Sequence, residues 1–404
     1  MVVVGVSEHP EPVEATAEAI GRVLDGQEGD PDLAVLFVSA HHRDAVTDIA
    51  TTVRAALSPG RLIGVTAAGV VGGGREVEDG PALVLWAARL GVVPEPVRLT
   101  ARATATGAAV QGLPRPPRPG SDHPAAGDEP ADGRTMVLLA DPFSLPVADI
   151  LDVLAATPQS LRVVGGLAAA GVAPGGNRLV LDGEVFTDGA VGVLLQDGLG
   201  DEGVDTGQGA GKGGYDVVVS QGCRPIGSPM IVTRADNSQV LELAGQPAVA
   251  RLSQVASQAA PEERALLADG VHLGIVADEH QESFERGDFL VRNVLGADRS
   301  SGALLVGTSV DVGTTVQFHI RDAATADEDL RALLAGHRAD GALVFTCNGR
   351  GRQLFGQPHH DARLVADITT DGAVAGMFCA GEVGPVGPRS FLHGFTASVL
   401  LVHG

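Results

Sequence analysis

Lysine is nearly missing from this chain: Lys212 is the single one among 404 residues, and 28 basic residues face 50 acidic ones, for a formal net charge of −22. A field of that sign repels phosphate backbones and anionic membrane surfaces, so neither nucleic acid nor a membrane is an expected partner. Aromatic residues are scarce as well, at 3 %, which leaves Val, Leu and Ala to build the cores. Cysteine occurs at 223, 347 and 379, too sparsely for a disulfide framework or a paired Cys-x-x-Cys metal site, and the expectation is a reducing, cytoplasmic setting. No apolar run approaches the roughly 20 residues that cross a bilayer. The opening MVVVGVSEHPEP carries no basic leader, so no signal peptide is expected.

What the chain has in plenty is small and apolar. Apolar residues make up 44 % and charged residues 19 %, a composition that buries large cores. Glycine stands at 55 residues, about twice its usual share. It is spread through apolar runs, where it marks strands whose backbones pass close to something. Two stretches lack any periodicity: 111–134, rich in Pro, Gly and charge, and 197–214, Gly-rich and acidic. Both are expected to be mobile surface loops.

An order of elements recurs three times. An apolar run at 33–41 (LAVLFVSAH) is followed by helical spacing over 44–57, a small-residue strand at 62–74 (LIGVTAAGVVGGG) and a further strand at 81–90. The same order returns at 135–143, 146–156, 162–171 and 189–197, and again at 341–351, 361–368, 373–384 and 391–402. Between the second and third copies, 229–245 reads as a hairpin turning at Asp236-Asn237-Ser238. A helix over 248–258, strands near 272–277, 289–294 and 303–320, and a helix over 326–336 follow. The fold class is therefore α/β with α+β-like layers: mixed β-sheets flanked by helices, built from repeated strand-helix-strand-strand units in two modules.

Several segments are similar to the FIST family. VSQGCRPIGSPMIVT (219–233), DFLVRNVLGAD (288–298), VQFHIRDAATADEDL (316–330), ALVFTCNGRGRQLFG (342–356) and GMFCAGEVGPVG (376–387) resemble its C-terminal domain. IGVTAAGVVGGGREVEDGPALV (63–84) and GGLAAAG (165–171) resemble its N-terminal domain. The resemblance runs in order from about 31 to 402 and sets an N-terminal segment 1–30, a FIST N-like domain 31–218 and a FIST C-like domain 219–404. It implies a sensory module of signal transduction that binds a small ligand, amino-acid-like or a related metabolite, held between the two modules. No residues are left for a kinase, cyclase or receiver, so the signalling output is expected to be a separate protein.

The candidate ligand-binding residues lie at strand ends. In Cys347-Asn348-Gly349-Arg350-Gly351 the glycines let backbone N–H groups converge. Arg350 suits a carboxylate held by two parallel hydrogen bonds, and Asn348 both donates and accepts. The plainer reading is a tight turn whose arginine pairs with a structural carboxylate. Glu382, at the end of the next strand, is expected near Arg350, either to hold an ammonium group or to pair with the arginine itself. Cys223 and Arg224, beside the rigid Pro225, line the same cleft or brace the junction between halves. The three copies are expected to bring their glycine-rich strand ends around a shared pocket.

The residue types leave two other chemistries open. Cys347 with His359 or His360 has the residue types of a nucleophile and its base, which keeps a Cys347-dependent hydrolase or transferase as an alternative to binding without turnover. A non-catalytic interaction scaffold is the third reading. The paired histidines His41-His42 and His359-His360 point to opposite sides of an extended chain and do not make a zinc site. The glycine-rich stretch 207–214 lacks the Ser/Thr and the spacing of a phosphate-binding loop. Neither a metal nor a cofactor is expected.

Overall fold

The computed structural model describes residues 1–104, 107–114, 133–156, 161–196, 214–281 and 283–403. The loops expected at 111–134 and 197–214 lie mostly outside these residues, as does the stretch at 207–214. Residues 1–219, 331–392 and 397–404 form one compact unit, and residues 220–330 with 393–396 form a second.

The first repeat comprises β1 (Val2–Ser7), α1 (Pro12–Gly26), β2 (Leu33–Ser39), α2 (Val46–Leu57), β3 (Arg61–Ala67), β4 (Val70–Gly72), β5 (Arg75–Val77) and β6 (Leu83–Ala88). The second comprises β7 (Glu95–Thr104), β8 (Gly107–Gln111), β9 (Arg134–Ala140), α3 (Val147–Ala155), β10 (Arg162–Leu167), β11 (Leu179–Leu181), β12 (Glu184–Phe186) and β13 (Ala190–Gln196). The third opens with β14 (Tyr215–Gln221). It is then interrupted by β15 (Cys223–Asp236), β16 (Gln239–Leu243), β17 (Gln246–Pro247), α4 (Ala248–Gln258), α5 (Pro261–Asp269), β18 (His272–Val276), β19 (Phe289–Asp298), β20 (Ala303–Val306), β21 (Thr315–Arg321) and α6 (Ala323–Leu334). It closes with β22 (Gly341–Cys347), α7 (Gly351–Phe355), α8 (His360–Ala366), β23 (Val374–Cys379), β24 (Glu382–Val386), β25 (Arg389–His393) and β26 (Thr396–Val402).

Each repeat builds one sheet of the first unit, and the strand orders are equivalent: β1-β6-β2-β3-β11-β12, then β8-β7-β13-β9-β10-β24-β25, then β14-β26-β22-β23-β4-β5. The central pairs β2–β3, β9–β10 and β22–β23 are parallel, joined by crossover helices, while their neighbours pair antiparallel. The outer two strands of every sheet come from a different repeat. The hairpin β4–β5 of the first repeat adds to β23 of the third, β11–β12 of the second to β3 of the first, and β24–β25 of the third to β10 of the second. The exchange closes into a ring.

That exchange revises the repeat read from the sequence. In each copy the strand that opens the small-residue stretch is followed, after a break, by a hairpin that leaves for the neighbouring sheet; in the second copy that hairpin, β11–β12, lies beyond 162–171. In the first copy, Gly73 (φ 55°) and Gly74 (φ 74°) supply the left-handed pair that a two-residue hairpin turn needs. The segment 1–30 joins the first repeat as edge strand β1 and helix α1. The stretch 303–320 is two strands, and α5 was not anticipated.

Alternation of side chains sorts the first unit into layers. Leu33, Val35 and Phe37 of β2, Val137 and Leu139 of β9, and Leu343 and Phe345 of β22 face a common core shared by the three sheets. Ala34, Leu36 and Val38 face the other way, onto α1 and α2, and Met136, Leu138 and Ala140 face α3. Strands covered on both faces read as continuous apolar runs, which is why all seven residues of β2 are buried. Helix α2 meets its sheet through Val46, Ile49, Ala50, Val53 and Leu57, the spacing of one helical face. The space enclosed by the three inner faces is thus packed with side chains, where a shared pocket had been expected.

In the second unit the sheet order is β15-β21-β18-β19-β20-β16-β17. One face carries Leu273, Phe318, Ile320 and Val316 against α4 and α5 residues such as Ala248, Leu252 and Leu266. The hairpin β15–β16 turns at Asn237, whose φ is 52°, as the Asp-Asn-Ser sequence suggested. Residues 331–392 and 397–404, read from sequence with a C-terminal half beginning at 219, pack within the first unit.

Candidate functional site

The parallel pair β22–β23 ends at Cys347 and Cys379, which are register partners. Carboxyl ends of parallel strands are where chains turn away and leave backbone groups for other tasks. The Asn348 N–H donates to the Cys379 carbonyl (3.0 Å), and the Gly349 N–H donates to the Cys347 sulfur (3.4 Å). Cys347 and Gly349 are half-buried and Asn348 is exposed. Gly351 has φ 59° and lies against the Glu78 carboxylate, which leaves no room for a side chain.

Arg350 is 1 % exposed. Its Nε and Nη2 donate to the two oxygens of Asp361 at 2.7 and 2.8 Å, in the forked geometry that guanidinium and carboxylate share. The Thr346 hydroxyl donates to the same carboxylate (2.8 Å), and Nδ1 of His360 approaches it at 3.0 Å. The Phe355 ring stacks on His360 with centroids 3.5 Å apart and lies 5.3 Å from the Arg350 guanidinium carbon. Burial disfavours both charges, but each offsets it for the other. Asp361 is held well below the usual carboxylate range, and Arg350 is raised above its ordinary value. Nη1 of Arg350 is buried without a hydrogen-bond partner.

Glu382, the first residue of β24, is fully buried opposite Gly166 of β10. It lies close enough to Arg350 and Cys379 to act on both through its charge. The carboxylate hydrogen-bonded to Arg350 is nevertheless Asp361, eleven positions from it in sequence and delivered by α8. His359 is held elsewhere: its Nδ1 accepts the Glu76 N–H (2.8 Å), and its own N–H donates to the Glu76 carboxylate (2.7 Å). Glu76 also accepts the Ala362 N–H (3.0 Å). Burial, and then the Asp361 charge, raise the Glu76 carboxyl above its usual range. The sequence around Glu76 holds no signal that the hairpin carries this side chain into another repeat.

Cys223 and Arg224 belong to the second unit. Cys223 is buried at the start of β15. Arg224 is held by Asp322 (2.7 Å) and Glu263 (2.9 Å), a bracing arrangement. Among the described residues, no group of three or more His, Cys, Asp and Glu side chains is placed to hold a metal ion. No helix among them is long and apolar enough to cross a membrane.

A cavity of about 450 Å³ opens at the opposite end of the first unit, where strands of all three repeats begin and end. Arg89 follows β6, Glu95 and Arg134 open β7 and β9, Tyr215 opens β14, Asp340 precedes β22 and His403 follows β26; all six line it. Charges of both signs therefore face one space. No motif marks these positions, because each is only the terminal residue of a strand or its neighbour.

A protein of Mycobacterium bovis, described as uncharacterized, is 41 % identical over 406 residues, covering 98 % of this chain and 97 % of its own. A likewise uncharacterized protein of Mycobacterium tuberculosis is also 41 % identical, covering 98 % of each chain. The FIST N domain matches residues 32–246 and the FIST C domain residues 248–385. With both models matched in order and nearly all of the chain covered, this protein belongs to the FIST family.

Proposed function

We propose that this chain is a sensory protein that binds a small zwitterionic metabolite of the amino-acid class and passes its bound state to a separate signalling partner. The observation that carries the reading is the 450 Å³ cavity to which all three repeats contribute. Its volume suits a small metabolite. Arg89 and Arg134 supply charge for a carboxylate, and Glu95 and Asp340 for an ammonium group. A ligand touching strand ends of three repeats is sensitive to their mutual packing, which is what a sensor must report. The three thiols, none of them bridged, support a reducing, cytoplasmic setting.

A second location within the same reading is favoured by one atom. Nη1 of Arg350 is buried and lacks a hydrogen-bond partner beside Glu382, as a guanidinium reserved for a ligand would be.

Thermal unfolding against a panel of amino acids and related metabolites tests both. A ligand at 100 times its Kd adds about 2.7 kcal/mol. With the cavity as the site, Arg134→Gln and Arg89→Gln lose that shift and Arg350→Lys keeps it. The reverse pattern moves the site to Arg350. If no compound shifts the wild-type protein, and native mass spectrometry shows no bound small molecule, the sensing reading fails.

A further inference from the structure

We propose that Cys347 and Cys379 are a dithiol oxidised by hydroperoxides, forming a disulfide across the ends of β22 and β23. The pair is placed for it by the parallel register, which sets the two residues directly opposite each other. Neighbouring strands lie about 4.8 Å apart, within the range of about 4.4–6.8 Å between Cα atoms that a disulfide spans. Alternation puts the two side chains on one face: Cys347 continues the series Leu343, Phe345, and Cys379 the series Ala375, Met377, of which all but Cys347 are buried in the common core. Each cysteine is the last residue of its strand, so closing the bridge distorts a turn and not a ladder.

The two thiols differ in ways that assign their roles. Cys347 is half-buried and therefore reachable, and its sulfur accepts the Gly349 N–H. The Arg350 guanidinium acts on it through its charge. An amide donor and a cation are the surroundings that favour a thiolate nucleophile. Cys379 is fully buried, with Sγ seated against Gly166 of β10, where even a methyl group would overlap it. Burial, and then the Glu382 charge, push this thiol well above its ordinary pKa. It stays protonated and shielded until its neighbour has reacted.

The reaction balances as two thiols and one hydroperoxide going to a disulfide, an alcohol and water. The Cys347 thiolate attacks the outer peroxide oxygen; an S–O bond forms, the O–O bond breaks, and the leaving alkoxide takes up a proton. The Cys379 sulfur then attacks the sulfenic sulfur, the S–S bond forms, and the departing hydroxide leaves with the Cys379 proton as water. With hydrogen peroxide the alcohol is a second water. The pair is oxidised by two electrons and a reducing thiol pool restores it. None of this depends on a metabolite in the cavity.

The test uses the reduced full-length protein, hydrogen peroxide, alkylation with iodoacetamide and tryptic mass spectrometry without reductant. Cys347 falls in the peptide 339–350 and Cys379 in 364–389. The expected result is these two peptides joined, about 2 Da lighter than their sum, with Cys223 still alkylated. Cys347 is expected to disappear at least about tenfold faster than Cys223, the buried thiol in the same molecule. In Cys379→Ala, Cys347 is trapped by dimedone as a sulfenic acid, and in Cys347→Ala, Cys379 stays unmodified at the same dose. Should a variant fail to fold, the linked peptide and the Cys223 comparison in wild type decide alone. The proposal is overturned if Cys347 and Cys379 remain alkylatable at a dose that oxidises free cysteine, or if Cys379 oxidises equally without Cys347.

Discussion

Glu76 and His359, 283 residues apart, are hydrogen-bonded to each other twice: the Glu76 N–H donates to the histidine ring, and the His359 N–H donates to the Glu76 carboxylate. Glu76 rides on the exported hairpin of the first repeat, and His359 stands at the start of α8 in the third. A carboxylate there satisfies amide groups that a helix start leaves without intrahelical partners. His359 itself takes φ 71°, a conformation unusual for a residue with a side chain, and the two bonds hold it there.

Replacing Glu76 by Ala is expected to cost about 2–3 kcal/mol, because it strips acceptors from the His359 and Ala362 amides together. Glu76→Gln, which keeps one carbonyl oxygen, is expected to cost about half as much. Urea unfolding midpoints of the two variants check the order; equal losses would mean the hydrogen bonds are not what the side chain contributes.

The Arg350–Asp361 pair is fully buried on both sides. Removing either partner strands the other charge, so Arg350→Ala and Asp361→Ala are each expected to lose about 3–5 kcal/mol. The double variant is expected to lose clearly less than the sum, as a double-mutant cycle by chemical denaturation will show. Additive losses would place the stabilisation outside the pair.

Two register-paired histidines set a pH dependence in the second unit. His272 and His319 face each other across β18 and β21. Burial lowers both to about 4, with Arg321 and His319 adding to the effect on His272. The unfolded chain takes up protons below about 6.5 while the folded rings stay neutral until about 4. Stability is therefore full above 6.5, falls between 6.5 and 4, and levels off below. Each ring accounts for roughly 3 kcal/mol at the lower end. Thermal unfolding between pH 7 and 4 measures this, and His319→Gln is expected to flatten the profile by about half.

Gly166→Ala places a methyl group onto the Cys379 sulfur and crowds the Met377 side chain. A loss of about 1–3 kcal/mol is expected, and most of it should return in the Cys379→Ala background, where the sulfur is gone. Thermal midpoints of the single and double variants report it. A cost that persists without the sulfur would point to the backbone of β10 instead.

Much of this fold is local, and the chain spells it out. The apolar spacing of 44–57, the Asp-Asn-Ser turn at 236–238 and the helix over 248–258 appear where the pattern puts them, because helix faces and turns are set by residues a few positions apart. The threefold order of elements is likewise written in the sequence, together with the turn chemistry at Cys347–Gly351. What no local pattern carries is the destination of each hairpin. A run such as Val70–Gly72 is short and apolar whichever sheet it joins, and only the packing of three repeats sends it onto β23. The same packing chose Asp361 as the hydrogen-bonded partner of Arg350, brought Glu76 to His359, and filled the centre with Phe37, Leu139 and Phe345. It also gathered six unremarkable strand-end residues around one cavity. Sequence fixes what lies within a few residues along the chain; contacts between residues hundreds of positions apart are decided by which surfaces bury the most together, and that is a property of the assembled core.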